Sequence, residues 1–193
     1  MQNDTSFARL VSLACHDLRT PLATVSGFAK TLMRSGSLES PADRYLEMIE
    51  AASAQLAELL DELSLAARIE ADRYEPALRE ADTLELARAA AERLGEERVK
   101  VSGEGAPLET DVESVDRGVS ALVQATLRHG GLDEVSVLVR GLEIDVSPVT
   151  DSSARVVLGE DLRDLGAAVA VRLIERLGGS VSVAGGTLTI RLR

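Results

Sequence analysis

Aromatic side chains are scarce in this sequence: tryptophan is absent from the 193 residues, and tyrosine and phenylalanine occur only twice each. The core must therefore be built from leucine, valine, isoleucine and alanine, a set of residues that suits helix bundles. The single cysteine, Cys15, has no partner for an intramolecular disulfide and no metal-ligand spacing around it. We expect Cys15 to be a small buried residue of the core.

Positive charge is also scarce, because 21 lysines and arginines stand against 32 aspartates and glutamates, for a net charge of −11. Nucleic acids and anionic membranes are bound by basic surfaces, so the composition argues against both as partners. No run approaches the roughly 20 apolar residues of a transmembrane helix. The first ten residues lack the basic start and apolar stretch of a signal peptide. We expect a cytoplasmic protein.

Two long amphipathic helices are predicted over residues 5–35 and 41–70. Ser40 is a suitable N-cap with Pro41 at the first helical position, and the short connection implies an antiparallel hairpin. Apolar residues of the second helix recur at the three- and four-residue steps of a helical bundle: Tyr45, Ile49, Ala52, Leu56, Leu59, Leu63 and Ala66. Because a lone hairpin buries only one face of each helix, we expect a homodimer in the form of a four-helix bundle.

The first helix carries a similar apolar stripe, which is expected to be buried: Phe7, Val11, Ala14, Leu18, Leu22, Val25, Ala29 and Leu32. Two consecutive steps of four residues fall beside Pro21, and such a stutter locally unwinds helix packing. A proline inside a helix costs about 3 kcal/mol and bends the helix. The sequence therefore predicts a kink near His16.

Helices mixed with antiparallel strands are predicted for the rest of the chain. Hairpins should turn at Arg140-Gly141 and at Gly185-Gly186. Helices are predicted over residues 82–95, with Asp82 as cap and Glu85 three residues later, and over 111–131 and 159–179. The expected fold class is α+β, with a helical hairpin domain over residues 1–73 and, over 76–193, one sheet covered by helices on one face.

His16 is expected on the outer side of the first helix. Ala14 and Leu18 of the apolar stripe are each two residues away, about 200° around the helix. Thr20, four residues on, shares the face of His16, and Asp17 is its neighbour. A carboxylate that accepts from Nδ1–H fixes the imidazole tautomer and leaves Nε2 free to attack as a nucleophile.

The stretch HDLRTPL that begins at His16 resembles the H-box of sensor histidine kinases, whose dimerisation and phosphotransfer domain is a helical hairpin that pairs into a four-helix bundle. The resemblance covers residues 7–70. It implies that His16 is the phosphoacceptor and that Asp17 orients and activates it. It also implies that Thr20 positions the water that hydrolyses the aspartyl phosphate of a partner.

The same resemblance implies response-regulator receiver domains as partners, docked on the hairpin below His16. Arg19 is then a candidate contact of the incoming phosphoryl group or of a water. Further candidate contacts are Val25, Phe28, Ala29 and Leu32. Of these only Phe28 is not more simply explained as a core residue.

The second half resembles, in the order of its elements, the Bergerat-type (GHKL) domain that supplies ATP in these kinases. Its nucleotide motifs are mostly replaced. Ala121 and Ala125 stand at the two asparagine positions of the box that ligates Mg²⁺, and neither side chain has an oxygen donor. His129, at the end of the same helix, is expected to be a C-terminal cap that suits the helix dipole.

The glycine boxes of this domain are also altered. Ser147 and Val149 replace glycines that allow close approach of the nucleotide, while Asp145 remains as a candidate adenine-binding acid. Asp164 stands at a glycine position of the second box, of which Gly166 remains, and adds negative charge near the place of a triphosphate. The sequence therefore predicts a degenerate Bergerat-type domain, with no cofactor and no metal bound by this chain.

This combination resembles the ChpT class of bacterial histidine phosphotransferases, which relay phosphoryl groups between receiver aspartates through a histidine. Aspartyl phosphate and phosphohistidine are both high-energy, so the transfer needs positioning and a Mg²⁺ carried by the receiver rather than ATP. The R-T-P-L sequence of the box is intact, and in this respect the chain resembles true kinases more than it resembles that class. Three alternatives stay open: a pseudokinase or receiver phosphatase using Asp17 and Thr20, a scaffold with a vestigial His16, and a kinase with divergent ATP contacts.

Overall fold

The computed structural model describes residues 2–34 and 42–193, with side chains from residue 8 onward except those of residues 9, 10, 12, 14 and 43. The predicted loop with Ser40 and Pro41, and the side chains of Phe7 and Ala14, lie outside the described residues. The chain divides into two compact units, Met1–Tyr74 and Glu75–Arg193. No helix in the described ranges is long and apolar enough to cross a membrane.

The first unit contains two long helices, α1 (Gln2–Arg34) and α2 (Ala42–Glu70), as predicted. Ion pairs join Arg19 to Asp61 and Lys30 to Glu50, so the two helices run antiparallel. Helix α1 continues through Pro21 without interruption. Because proline has no N–H, the helical hydrogen bond from residue 21 to the carbonyl of residue 17 is missing, which loosens the turn that follows His16. The predicted kink stays a prediction.

The buried seam between α1 and α2 follows a seven-residue repeat. Its members are buried or half-buried, and Cys15, with 1% exposure, is a core residue as expected. They are Ala8, Cys15, Leu22 and Ala29 of α1, and Leu46, Ser53, Leu60 and Ala67 of α2. Alanine, cysteine and serine at these positions allow the two helices to approach closely.

Most of the stripe predicted to be buried lies instead on one exposed flank of the hairpin. Its large residues, called the apolar stripe below, are 39–59% exposed: Leu18, Val25, Leu32, Tyr45, Ile49, Leu56, Leu59 and Leu63. These residues are exposed in the single chain, so their burial, that of Val25 and Leu32 included, depends on the expected four-helix bundle and stays a prediction. Each helix carries two apolar seams side by side, and only the seam of smaller residues is covered by the other helix.

The second unit has the mixed architecture expected for an α+β protein. Its elements, in chain order, are β1 (Leu78–Asp82), α3 (Thr83–Leu94), β2 (Val99–Gly105), β3 (Pro107–Asp111), α4 (Val112–Gly130), β4 (Val135–Gly141), β5 (Glu143–Ser147), α5 (Asp151–Val157), α6 (Leu165–Arg176), β6 (Ser180–Ala184) and β7 (Thr187–Arg191). Five strands form a sheet in the order β2-β4-β5-β7-β6, in which only β2 and β4 are parallel. Strands β1 and β3 form a separate antiparallel pair.

One face of the five-stranded sheet packs on the helices. Alternate residues of β4 are buried, beginning with Val135, while the residues between them are exposed, as the predicted hairpin requires. The buried side chains join residues of α3, α4 and α6 in one core. Helix α4 packs on α6 at Gly118, where an added Cβ would lie 3.5 Å from Ala170 Cβ, an ordinary van der Waals distance. Asp82 caps α3 as predicted, accepting from the N–H groups of Leu84 and Glu85.

Candidate functional site

His16 lies on α1 with its side chain 77% exposed, as predicted. Its Nδ1 is 3.1 Å from Asp17 Oδ1. An ionised carboxylate can only accept, so this contact places the ring proton on Nδ1 and leaves the lone pair on Nε2. In this tautomer the pair leaves Nε2 exposed as a nucleophilic nitrogen. The role of His16 as phosphoacceptor stays a prediction.

Thr20 is exposed one helical turn after His16 and on the same side of α1. Its carbonyl oxygen accepts a hydrogen bond from Thr24 Oγ1 at 3.1 Å. Within the part of the chain that the structure describes, the Thr20 hydroxyl makes no hydrogen bond of its own. It is thus available to a water beside the imidazole.

Arg19 reaches across the hairpin and donates from Nη2 to Asp61 Oδ1 at 2.7 Å. Sequence reasoning singled out Arg19 but missed Asp61, because the two residues are 42 positions apart and meet only through the antiparallel register. The Lys30–Glu50 pair, with Nζ 3.5 Å from Oε1, bridges the helices in the same way further along. The two pairs have the same sum of residue numbers, as an antiparallel register requires. With the Lys30–Glu50 pair known, that register would have predicted Asp61 as the partner of Arg19.

A groove of about 350 Å³ runs between these two ion pairs. Small and apolar side chains line it: Leu22, Ala23, Ser26, Ser53, Ala54 and Ala57. The groove, called the hairpin groove below, lies on the opposite side of the buried seam from the apolar stripe. His16 is about 60° around α1 from Arg19, at ~100° per residue, and so borders the groove end that Arg19 closes.

Phe28 is not brought to the same place. It is 69% exposed, but it follows His16 by twelve residues, which is about 18 Å along a helix and about 120° around it. Phe28 lies instead beside the apolar stripe. The structure therefore gathers His16, Asp17, Arg19 and Thr20 within two turns of α1 and leaves Phe28 apart.

In the second unit, Asp145 lies on the face of the sheet that the helices do not cover. Thr189 Oγ1 donates to its Oδ1 at 2.6 Å and Arg140 binds its Oδ2, so both carboxylate oxygens have partners. The neighbouring Val146 points into the helix-covered core with no exposed surface. On the same open face, the hydrogen bond from Arg191 to Glu143 holds the pKa of that carboxyl below its ordinary value.

The N-terminus of α6 is capped by the side chain of Asp164. Asp164 Oδ1 accepts from the backbone N–H of Ala167 at 3.1 Å, and its Oδ2 lies 2.9 Å from Nε2 of His129. Helix α6 begins at Leu165 because Asp164 caps it there, later than the predicted start at residue 159.

The interpretation of His129 as a C-terminal cap was wrong. Helix α4 ends in the left-handed residue Gly131, whose N–H donates to Leu127 O. The His129 ring points instead to α6, where it and Asp164 are 16% and 15% exposed. Ala125, on the same helix as His129, has no exposed surface. Among the residues that the structure describes, no three His, Cys, Asp or Glu side chains could hold a metal ion together.

Solved histidine kinases share this fold. Full-length ShkA in complex with AMPPNP superimposes with a TM-score of 0.70 at 20% identity, covering 94% of this chain, which spans 44% of the ShkA chain. The Acinetobacter baumannii histidine kinase AdeS gives 0.57 at 15% identity, covering 92% of this chain and 98% of AdeS. The ATP binding domain of PrrB from Mycobacterium tuberculosis gives 0.50 at 18% identity, covering 60% and 96%. At these identities the likeness shows the fold.

Residues 8–72 match the family model of the His Kinase A (phospho-acceptor) domain. The hairpin is therefore similar in sequence to the phospho-acceptor domain of histidine kinases, and the whole chain shares the fold of solved histidine kinases. The matched range contains His16 and all of its neighbours described above, and it ends two residues after α2. No curated protein sequence matches the chain.

Proposed function

We propose that the protein is a dimeric, cytoplasmic histidine phosphotransferase. In this proposal His16 accepts a phosphoryl group from the aspartyl phosphate of one response-regulator receiver domain and passes it to the aspartate of another. The observation that carries the proposal is the exposed His16–Asp17 pair, on a hairpin of the phospho-acceptor type. In the same chain the N-terminus of α6 is capped by Asp164, which argues against a phosphate of ATP at that position.

The transfer step uses the lone pair of His16 Nε2. That lone pair attacks phosphorus, an N–P bond forms, and the P–O bond to the receiver aspartate breaks with its electron pair going to the carboxylate. No proton has to leave Nε2, because Nδ1 carries the ring proton. The positive charge that develops on the ring is stabilised by Asp17 through the contact at Nδ1. Mg²⁺ held by the receiver neutralises the phosphoryl oxygens.

In this proposal the protein does not bind ATP. Asp164 supplies both a hydrogen-bond acceptor and a negative charge at the α6 N-terminus, where a helix would otherwise favour a phosphate. Asp145, the remaining candidate for an adenine contact, is bonded to Thr189 and Arg140 on the opposite face of the sheet. The absence of nucleotide binding is thus part of the proposal, and so is the absence of a bound metal.

The proposed homodimer rests on the apolar stripe. Several large side chains recur there at seven-residue spacing on both helices, and each is at least 39% exposed in the single chain. Pairing two hairpins through this stripe would bury it and leave His16 and the hairpin groove on the outside, within reach of a receiver. The net charge of −11 argues for a protein partner rather than nucleic acid or an anionic membrane.

A receiver phosphatase is the second candidate, and the exposed hydroxyl of Thr20 favours it. A water held between that hydroxyl and the imidazole would be placed to attack a receiver aspartyl phosphate. In this case no phosphohistidine accumulates, which distinguishes the phosphatase from the relay.

The test follows label in the purified protein, offered either Mg·ATP labelled at the γ-phosphate or a receiver labelled on its aspartate. We expect acid-labile label from the receiver only, lost in His16→Ala and kept in His129→Ala, which removes the one other histidine. Label from ATP alone would establish an autokinase instead. Loss of receiver phosphate without labelled protein would establish the phosphatase, and no change in either assay would leave a scaffold.

A further inference from the structure

Arg19 is the cation nearest to His16 along α1. Between residues 10 and 29 it is the only lysine or arginine. It follows His16 by three residues, and helical side chains lean towards the N-terminus, so Arg19 leans over the turn that carries His16. In a chain of net charge −11, with Asp17 beside the imidazole, an incoming phosphoryl group needs such a cation.

Asp61 holds this cation by one nitrogen only. Arg19 Nη2 is bonded to Asp61 Oδ1 at 2.7 Å, and the other guanidinium nitrogens make no hydrogen bond within the part of the chain that the structure describes. The two side chains are 42% and 47% exposed, and exposed ion pairs of this kind contribute little to the stability of a fold. What the contact does fix is the direction of a long side chain that otherwise samples many rotamers.

We propose that Asp61 of α2 is a positioning residue for phosphoryl transfer at His16. It holds Arg19 at the rim of the hairpin groove so that the unbonded edge of the guanidinium receives the phosphoryl oxygens. Negative charge is spread over three such oxygens in the transition state, and the planar fork of arginine matches two of them at once. The inference rests on the proposed function in one respect, namely that His16 is the phosphoacceptor.

Whether the loss of the Asp61 charge slows or speeds the transfer distinguishes a positioning role from a simple electrostatic one. Replacing Asp61 by asparagine removes a negative charge close to the site, and on charge alone this would attract the phosphoryl group and speed the transfer. If Asp61 merely sequestered Arg19 away from the site, its removal would also speed the transfer. Only a positioning role predicts that the neutral variant is slower.

Phosphoramidate is a suitable probe because it phosphorylates histidine without a receiver or ATP. Nε2 of His16 attacks phosphorus, the P–N bond breaks, and ammonia leaves with the electron pair. The rate of His16 phosphorylation would be measured in the full chain for wild type, Asp61→Asn and Asp61→Glu. Glu50→Gln is the matched control, because it removes the carboxylate of the corresponding ion pair at the other end of the groove.

We expect Asp61→Asn to be about five- to tenfold slower than wild type. Glu50→Gln should match wild type, and Asp61→Glu should recover most of the rate because it restores the anchor. Arg19→Ala should be as slow as Asp61→Asn, and the double variant no slower than Arg19→Ala, since the two residues act as one unit. Helix content by circular dichroism should be equal in all variants.

An Asp61→Asn rate equal to or above that of Glu50→Gln would overturn the inference, and so would additive losses in the double variant. The proposed relay is judged from a separate measurement, the labelling of His16 by phosphorylated receivers. If phosphoramidate labels His16 with the expected pattern but phosphorylated receivers do not, the relay fails and the positioning role stands. If wild-type His16 is labelled neither by phosphoramidate nor by a phosphorylated receiver, both fail.

Discussion

At the scale of single residues, the Asp17 carboxylate determines which nitrogen of His16 is available for reaction. It lies 3.1 Å from Nδ1, so in the proposed transfer the lone pair stays on Nε2 and the charge that would develop on the ring faces a negative group. A hydrogen bond to an ionised acceptor is about twice as strong as one between neutral groups. In the proposed transfer Asp17 therefore acts on both the tautomer and the developing charge.

We expect Asp17→Asn to lower the rate of His16 phosphorylation by a labelled receiver by about tenfold or more. An asparagine oxygen still accepts from Nδ1, but it carries no charge, and its amide can donate and so stabilise the wrong tautomer. The measurement is the initial rate of acid-labile labelling. Thr24→Ala, on the same helix and outside the pair, should be unaffected. An Asp17→Asn protein as fast as wild type would refute this role of the carboxylate.

How far the sequence predicts the site depends on how far apart the partners are along the chain. The His16–Asp17 contact could be predicted because the residues are neighbours on one helix. The partners of Arg19 and His129 could not, since Asp61 is 42 positions from the first and Asp164 is 35 positions from the second. Contacts of that kind depend on the register between helices, which no local pattern contains.

At the scale of elements, the two helices of the hairpin each carry two apolar seams. The repeat of large residues dominates the sequence pattern and predicts the seam of a helical bundle, whereas the two helices of one chain pack through the seam that contains Cys15 and Ser53. Periodicity predicted both helices, but it could not show which seam faces the neighbouring helix. Strands β1 and β3 were missed for a related reason: they form a short two-stranded sheet without clean apolar alternation.

The unpaired seam leads to a prediction about association. Leu56 lies in the middle of the apolar stripe on α2, and burying a leucine contributes about 1.5–3 kcal/mol, so a glutamate there should prevent the proposed dimer. Light scattering coupled to gel filtration should give twice the chain mass for wild type and the chain mass for Leu56→Glu. Ala51→Glu is the matched control, exposed on the same helix but off the stripe, and should remain dimeric. A dimeric Leu56→Glu protein would exclude the stripe as the interface.

At the scale of the whole molecule, one chain combines two units. The first is a hairpin with an accessible histidine, and in the second the carboxylates of Asp145 and Asp164 bind other groups of the same chain. Asp164 caps α6 and binds His129, and Asp145 binds Arg140 and Thr189. The α+β architecture and most of its elements could be predicted from apolar patterns and glycine turns. The places of Asp145 and Asp164 in the sheet and helix layers could not, because a shift of one residue in a strand reverses the face on which a side chain lies.

These internal contacts predict that Mg·ATP does not stabilise the protein. A ligand present at a hundred times its dissociation constant raises the free energy of unfolding by about 2.7 kcal/mol, which corresponds to several degrees in the melting temperature of a domain of this size. We expect a shift within about 1 °C at millimolar Mg·ATP, measured by calorimetry against Mg²⁺ alone, because the Asp164 carboxylate already occupies the α6 N-terminus and repels a polyphosphate. A shift of several degrees would show that the protein binds nucleotide in spite of Asp164, and would favour a kinase with divergent ATP contacts over the phosphotransferase.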